Sequence, residues 1–246
     1  MDKMLYLAMN GAKHVEWQQA TTTNNLANVH TNGFKADLVS FRALPVVGDG
    51  APTRVYQVDN TVGHDLSQGA LQQTGNDFDF ALTTPGFFAV QLPDGTEAYT
   101  RDGGFELDAT GTMRTRSGLA IVGEAGPLQV PEGSKVDVRQ DGSVYAVPAN
   151  GGQAQEVGRI KLVNPQQPRD MYKGDDGLFR QSNGEDLAAD PAVRVRSGAL
   201  EGSNVNVVDS LVQMISHAKH YDLNVRLMQT ADQDARQATQ ILTLNS

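Results

Sequence analysis

VNVVDSLVQMISHAKHYDLNVRLMQTADQDARQATQILTL, residues 205–244, contains neither glycine nor proline. A stretch this long without a breaker predicts one continuous helix. Its seam steps alternately by four and three through Val207, Leu211, Met214, Ala218, Tyr221, Val225, Met228, Asp232, Ala235, Thr239 and Leu242. Only Asp232 and Thr239 break the apolar stripe, and the spacing is that of a heptad repeat. At 1.5 Å per residue the helix would be about 60 Å long, which exceeds what a globular domain of this size covers. Two arrangements follow. Either two helices fold back on the chain's own sheet, or the end helices pair and pack against copies in neighbouring subunits.

The opposite end carries the matching half. Residues 2–29 hold no proline and one glycine, Gly11. Leu5, Ala8, Ala12, Val15, Gln19, Thr22, Leu26 and Val29 form a second seam, weakened by its polar central layer of Gln19 and Thr22. Asn32-Gly33 is expected to end this helix, because both residue types tolerate a left-handed backbone. The candidate assembly residues are Leu5, Ala8, Ala12, Val15, Leu26 and Val29 at one end. Their counterparts are Leu211, Met214, Ala218, Tyr221, Val225 and Met228. The small side chains of Ala8, Ala12 and Ala218 would let helices approach closely.

Between the ends the pattern changes. Eight Asn-Gly or Asp-Gly pairs punctuate the rest of the chain, at 32–33, 49–50, 94–95, 102–103, 141–142, 150–151, 176–177 and 183–184. Such pairs favour the tight turns of antiparallel hairpins. Phe87 to Leu92 and Thr96 to Arg101 flank one of them, and Lys135 to Arg139 and Ser143 to Val147 another. Ile160 to Val163 is a further strand. The expected class is α+β: long N- and C-terminal helices pairing as a coiled-coil-like axial layer, with a β-rich antiparallel middle domain. The expected boundaries are an axial helix at 1–35, an extended connector with short strands at 36–70, a β-rich outer domain at 71–200 and a second axial helix at 201–246.

Composition narrows the function. Of 246 residues, 39% are apolar and 20% charged, enough for a core, and the net charge of −9 with no long basic run argues against nucleic-acid binding. No cysteine is present, so disulfide and thiolate chemistry are excluded. The N-terminus lacks the basic segment and apolar run of a Sec signal, and no stretch of 18 apolar residues could span a membrane. His217 and His220 are spaced as two metal ligands could be, but no third ligand is identifiable, and a solvated or subunit-facing pair is the ordinary reading. Asn76-Asp77-Phe78-Asp79 and Asp175-Asp176-Gly177 resemble fragments of calcium loops without the distal glutamate, and read as turn-forming acids. No nucleophile elbow, Walker loop or dinucleotide fingerprint occurs. The expectation is a structural chain, not an enzyme, without cofactor or small-molecule substrate. A periplasmic binding or adhesin-like β-domain with coiled-coil ends, and a hydrolase, are the rivals from other classes.

Three segments resemble the flagellar rod and hook axial protein family. Asn24-Asn25-Leu26-Ala27-Asn28-Val29-His30-Thr31-Asn32-Gly33-Phe34-Lys35 is similar to its N-terminal signature. Gly69 to Asn76, Gly86-Phe87-Phe88-Ala89-Val90 and Tyr99-Thr100-Arg101-Asp102-Gly103-Gly104-Phe105 are similar to its β-domain. Thr83-Thr84-Pro85 departs from it where relatives often carry Gly-x-Gly. Glu201-Gly202-Ser203-Asn204-Val205, continuing through Met214-Ile215, Tyr221, Asn224 and Gln229-Thr230, looks like its C-terminal helix signature. Residues 1–12 and 41–50 look most like the proximal-rod branch, with the distal-rod branch as the alternative. The resemblance implies export by the flagellar type III apparatus without cleavage, and assembly in the periplasm with itself and other rod proteins, proximal and distal. It also implies axial helices, an outer β layer and torque transmission from motor to hook. Asn24, Asn25 and Asn28 could cap the helix or bond between subunits.

Overall fold

The computed structural model describes residues 2–45, 55–131, 133–148, 152–167 and 170–244. The Asp49-Gly50 and Asn150-Gly151 pairs lie outside the described residues, and so does the Leu242 side chain. The chain divides into two compact units: Met1–Asn28, Asp37–Asp65 and Val205–Ser246 form one, and Val29–Ala36 with Leu66–Asn204 the other.

The first unit holds helix α1 (Asp2–Ala27), helix α2 (Val207–Leu244) and the strands Asp37–Pro45 and Val55–His64. Those strands pair antiparallel from Asp37↔His64 to Pro45↔Val55. The segment expected as an extended connector with short strands is therefore a two-stranded ribbon of nine and ten residues. Helix α2 starts where its cap dictates. Asn206 Oδ1 accepts the Val208 amide at 2.9 Å, and Asp209 sits in the first turn, where the helix dipole favours a carboxylate. Helix α1 ends at Ala27, short of Asn32-Gly33. The Asn28 amide bonds back to the Asn24 and Asn25 carbonyls at 3.2 Å, and its side chain takes the Asn24 carbonyl at 3.0 Å, so the last turn is closed locally.

The two helices touch where side chains are small. A Cβ on Gly11 would lie 2.8 Å from Asn224 Oδ1, so a larger residue there would have to displace the end of the Asn224 side chain. Ala8, Ala12 and Thr22 are buried on α1, and Ser210 and Ala231 on α2. His14 seats α1 on the ribbon, edge-on to Phe41 with ring centroids 4.9 Å apart.

In the second unit every named strand pairing is antiparallel. The main sheet runs Met171–Lys173, Phe179–Gln181, Glu97–Thr100, Phe87–Gln91, Ala120–Gly123, Met113–Thr115, Phe105–Leu107. Gly126–Pro127 adds beside Ala120–Gly123, and Leu162–Val163 beside Phe87–Gln91. A three-stranded meander of Ser134–Val138, Ser143–Pro148 and Gln155–Arg159 completes the core, which gathers Phe80, Phe88, Val90, Phe105, Met113, Ile121, Val144 and Ile160. Both expected hairpins form, with Gln91↔Glu97 and Val138↔Val144 as their last pairs. The aspartates of their turns act as acceptors. Asp94 Oδ1 takes the Thr96 hydroxyl at 2.6 Å and its amide at 3.0 Å, and Asp141 takes the Ser143 amide at 3.2 Å. These bonds hold both carboxyls below the usual range. The strands nearest the unit's two ends zip together: Leu71–Gln73 pairs with Ala199–Glu201, and Phe80–Leu82 with Val195–Ser197.

Tyr99, 1% exposed, packs with Phe87, Val163, Met171 and Phe179. Its hydroxyl accepts the Leu187 amide at 2.6 Å, and burial pushes the phenol up to about 12. A folded value above the unfolded one of about 10 means the stabilisation is complete below pH 10 and is lost as the pH rises from 10 towards 12. Urea unfolding at pH 9 and pH 11 should show a slope from this group of up to about 1.4 kcal/mol per pH unit. Tyr99→Phe should be less stable at pH 9 but lose that share of the slope.

Candidate functional site

The first candidate site is a charged clasp buried in the second unit. Lys35 Nζ lies 2.6 Å from Glu201 Oε1, and both side chains are 0% exposed. The same ammonium donates to the Ser67 carbonyl at 2.6 Å, and Glu201 Oε1 also accepts the Gly69 amide at 2.9 Å. Arg101, 3% exposed, stands 3.5 Å from Glu201 Oε2 and donates to the Thr84 carbonyl at 3.1 Å. Burial pulls its guanidinium below the ordinary value, and Glu201 opposes that. Lys173 covers the clasp, with Nζ 3.1 Å from the Lys35 carbonyl and 3.7 Å from the centre of the Phe34 ring.

Backbone contacts complete the clasp. The Gly33 amide donates to the Glu201 carbonyl at 2.7 Å. Gly33 has φ +67°, and a Cβ there would lie 2.3 Å from the Arg101 carbonyl carbon. Both the turn and the close approach therefore require glycine. Asn204 Oδ1 accepts the Ala36 amide at 2.8 Å, and its Nδ2 reaches Ser67 Oγ at 3.2 Å. The three signature segments of the sequence thus meet in one place: Gly33-Phe34-Lys35, Arg101-Asp102 and Glu201 to Asn204. Ala36, Ser67 and Asn204 stand within two residues of three of the four points where the chain passes between units.

A second cluster lies in the first unit. Asn24 Nδ2 donates to Asp37 Oδ2 at 3.0 Å, Asn25 Nδ2 to the Asp37 carbonyl at 2.9 Å, and the Asp37 amide to Asn25 Oδ1 at 2.9 Å. His64 Nδ1 is 2.9 Å from Asp37 Oδ1. Asn24 and Asn25 thus tie the end of α1 to the start of the ribbon, a task beyond simple capping, while Asn28 closes the helix. Leu26 is half-buried and Ala27 exposed. Thr31 supplies its carbonyl to the Phe34 amide at 3.3 Å, and Ser203 and Val205 are half-buried.

The seam residues divide. Ala8 and Ala12 are buried; Val15, Leu26, Val29, Met214, Val225 and Met228 are half-buried; Leu5, Leu211, Ala218 and Tyr221 are exposed. On α2 His217 and Asn224 turn to α1, and Ser210 and Ala231 are buried; the apolar pattern passed over all four. His217 Nε2 pairs with Thr22 Oγ1 at 3.4 Å. Polar residues at helical spacing were the available signal, and a count of apolar steps does not register them. Among the described residues no group of three or more histidines, cysteines or carboxylates is placed to hold a metal ion, and no helix is long and apolar enough to cross a membrane.

The chain has the build of a structural subunit: its converging polar groups join segments of backbone to one another. Comparison with known proteins identifies the kind. Three family models match: "Flagella basal body rod protein" over residues 5–35, "Flagellar hook protein FlgE/F/G D1 domain" over 81–146, and "Flagellar basal body rod FlgEFG protein C-terminal" over 196–241. The flagellar basal-body rod protein FlgF of Escherichia coli K12 is 41% identical over the full length of both chains, and that of Salmonella typhimurium 38%. A FlgG rod protein from Buchnera aphidicola is 31% identical over 96% of this chain and 98% of its own. The chain belongs to the flagellar basal-body rod protein family, whose members are structural rod and hook proteins and not enzymes.

The clasp makes a sharp demand on stability. Lys35→Met leaves the Glu201 carboxylate buried with Arg101 as its remaining cation and should cost about 3–5 kcal/mol in urea unfolding. Glu201→Gln should be similarly damaging. The double variant should be less destabilised than the sum of the two, giving a coupling energy of about 1–3 kcal/mol.

Proposed function

We propose that the chain is a subunit of the proximal flagellar rod, polymerising into the axial shaft that carries torque from motor to hook. The observation that carries this reading is the open face of α2. Val208, Val212, Ile215, Leu223 and Leu227 are 45–67% exposed, an apolar stripe along one long helix. A stripe of that kind marks an interaction surface. On α1, Met4 to Leu7, Met9 and Trp17 are exposed as well. In the assembled rod these faces pair as a coiled-coil-like axial layer, with the 71–200 region as the outer layer. Leu5, Leu211 and Tyr221 become buried there, and Val15, Leu26, Val29, Met214, Val225 and Met228 complete their burial. Helical growth uses head-to-tail contacts that do not close on themselves. The partners are further copies of the chain, the other proximal rod subunits, the distal rod protein and the type III export apparatus. Assembly takes place in the periplasm, and the N-terminus stays uncut. Full-length identity of 41% to a FlgF protein, against 31% to a FlgG protein, favours the proximal over the distal position.

A tagged chain should copurify with isolated basal bodies, and its N-terminal sequence there should begin at Met1 or Asp2; a start well inside the chain would rule out uncleaved export. Ile215→Asp tests the open face. At 58% exposure it should change the stability of the free chain by no more than about 0.5 kcal/mol. Buried at a subunit contact, the same carboxylate would cost several kcal/mol, so the strain should be non-motile in soft agar and lack hooks. Gln213→Asp, also on the exposed helix surface, is the milder control.

A further inference from the structure

Building on the rod-subunit reading, we infer that Met4 and Met9 are a site of reversible oxidation by hydroperoxides, open in the free chain and closed once α1 is buried in the assembled rod. The chain has seven methionines and no cysteine, so thioethers are its only sulfur groups. Met1 lies outside the described residues, and the other six are graded by burial. Met4 is 44% exposed and Met9 54%. Met214 and Met228 are half-buried, while Met171 is 7% exposed and Met113 0%. A thioether at the surface meets a dissolved oxidant, and one packed in a core does not. Met113 and Met171 belong to the two apolar clusters of the β unit. The open thioethers stand instead on the first turns of α1, where Leu5, Tyr6 and Leu7 between them are exposed too. That is the apolar surface which the rod reading covers with a neighbour.

The chemistry is a two-electron oxygen transfer. The thioether sulfur attacks the terminal oxygen of the hydroperoxide, an S–O bond forms and the O–O bond breaks. The proton of that terminal hydroxyl passes to the departing oxygen, which leaves as an alcohol, or as water from hydrogen peroxide. Sulfur is oxidised by two electrons and the peroxide is reduced by the same two. The product, a sulfoxide, is polar where the thioether was apolar. A sulfoxide buried without a hydrogen-bond donor is costly. Two of them beside Leu5, Tyr6 and Leu7 therefore oppose the burial of this stretch against a neighbour. The effect runs both ways, since oxidation weakens the contact and the contact shuts out the oxidant. A methionine sulfoxide reductase restores the thioether, the oxygen leaving as water while two thiols of the reductant become a disulfide.

The sequence suits a direct test. Trypsin places Met4 and Met9 together in the peptide 4–13, apart from Met1, and Met113 in 102–114. Met171, Met214 and Met228 fall in 170–173, 197–219 and 227–236. The purified full-length chain is treated with hydrogen peroxide, and initial rates are read by peptide mass at low conversion, before oxidised chains accumulate. Peptide 4–13 should gain oxygen at least about tenfold faster than 102–114, with 197–219 and 227–236 in between. Equal rates in 4–13 and 102–114 overturn the site. The same treatment is then applied to isolated basal bodies, with a free methionine peptide in the tube as the measure of dose. There 4–13 should react at least about tenfold more slowly than in the free chain, because the contact excludes the oxidant. Reaction at the rate of the free chain overturns the closure. Absence of the chain from basal bodies would instead refute the rod reading, which separates the two failures.

Discussion

An ammonium and a carboxylate 2.6 Å apart, both wholly removed from water, join Lys35 to Glu201 across 166 residues of chain. Two charges in such a place are tolerated only together, because either one alone would be buried uncompensated; Glu201 Oε2 accepts no hydrogen bond among the described residues, and Arg101 stands 3.5 Å from it as a counter-charge. That condition reaches outward. The Ser67 carbonyl and Gly69 amide must be in position to share the pair, Arg101 must supply the second cation, and Gly33 must lie against the backbone of Arg101 and Asp102. An apolar pair of equal volume could slide. A charged pair with directed hydrogen bonds has one arrangement, and so it sets the positions of chain segments near the points where the chain leaves the β unit.

A subunit that carries mechanical load needs its joints defined more than it needs a large core at every joint. The helices illustrate the contrast. Between α1 and α2, Gly11 meets Asn224 and Thr22 meets His217, while Ala8 and Ala12 on α1 and Ser210 and Ala231 on α2 are buried. Small and polar side chains give proximity with little apolar burial. The large apolar residues Val208, Val212, Ile215, Leu223 and Leu227 are left facing outward. The hydrophobic contribution of those residues is therefore withheld from the single chain and remains available to an interface.

The α+β class, the two terminal helices and both principal hairpins were legible in the sequence because each rests on local chemistry. A run without glycine or proline, and an Asp-Gly pair between β-rich stretches, act over distances of a few residues. The family was legible for a different reason: its signatures are contiguous strings. What those strings do was not legible. Asn24 and Asn25 read as caps or as contacts between subunits, but they bind Asp37, a partner beyond the helix and its own turn. Lys35 and Glu201 read as ordinary members of two signatures, and nothing in either predicts that they meet.

By itself, then, the sequence determined the two terminal helices, the two principal hairpins between them and the kind of protein, since backbone propensity and apolar period are properties of short segments. Tertiary structure alone decided which face of α2 turns inward. A heptad count ranks positions by hydrophobicity, whereas the observed contact sets small and polar residues against one another, with Gly11 against the Asn224 side chain and Thr22 against His217. It also decided that α1 stops at Ala27, because the amides of Asn24 and Asn25 are claimed by Asp37 and the Asn28 side chain closes the last turn. Above all, it decided the clasp. Pairing between residues 166 positions apart depends on the route of the chain through the whole sheet, which no local rule contains.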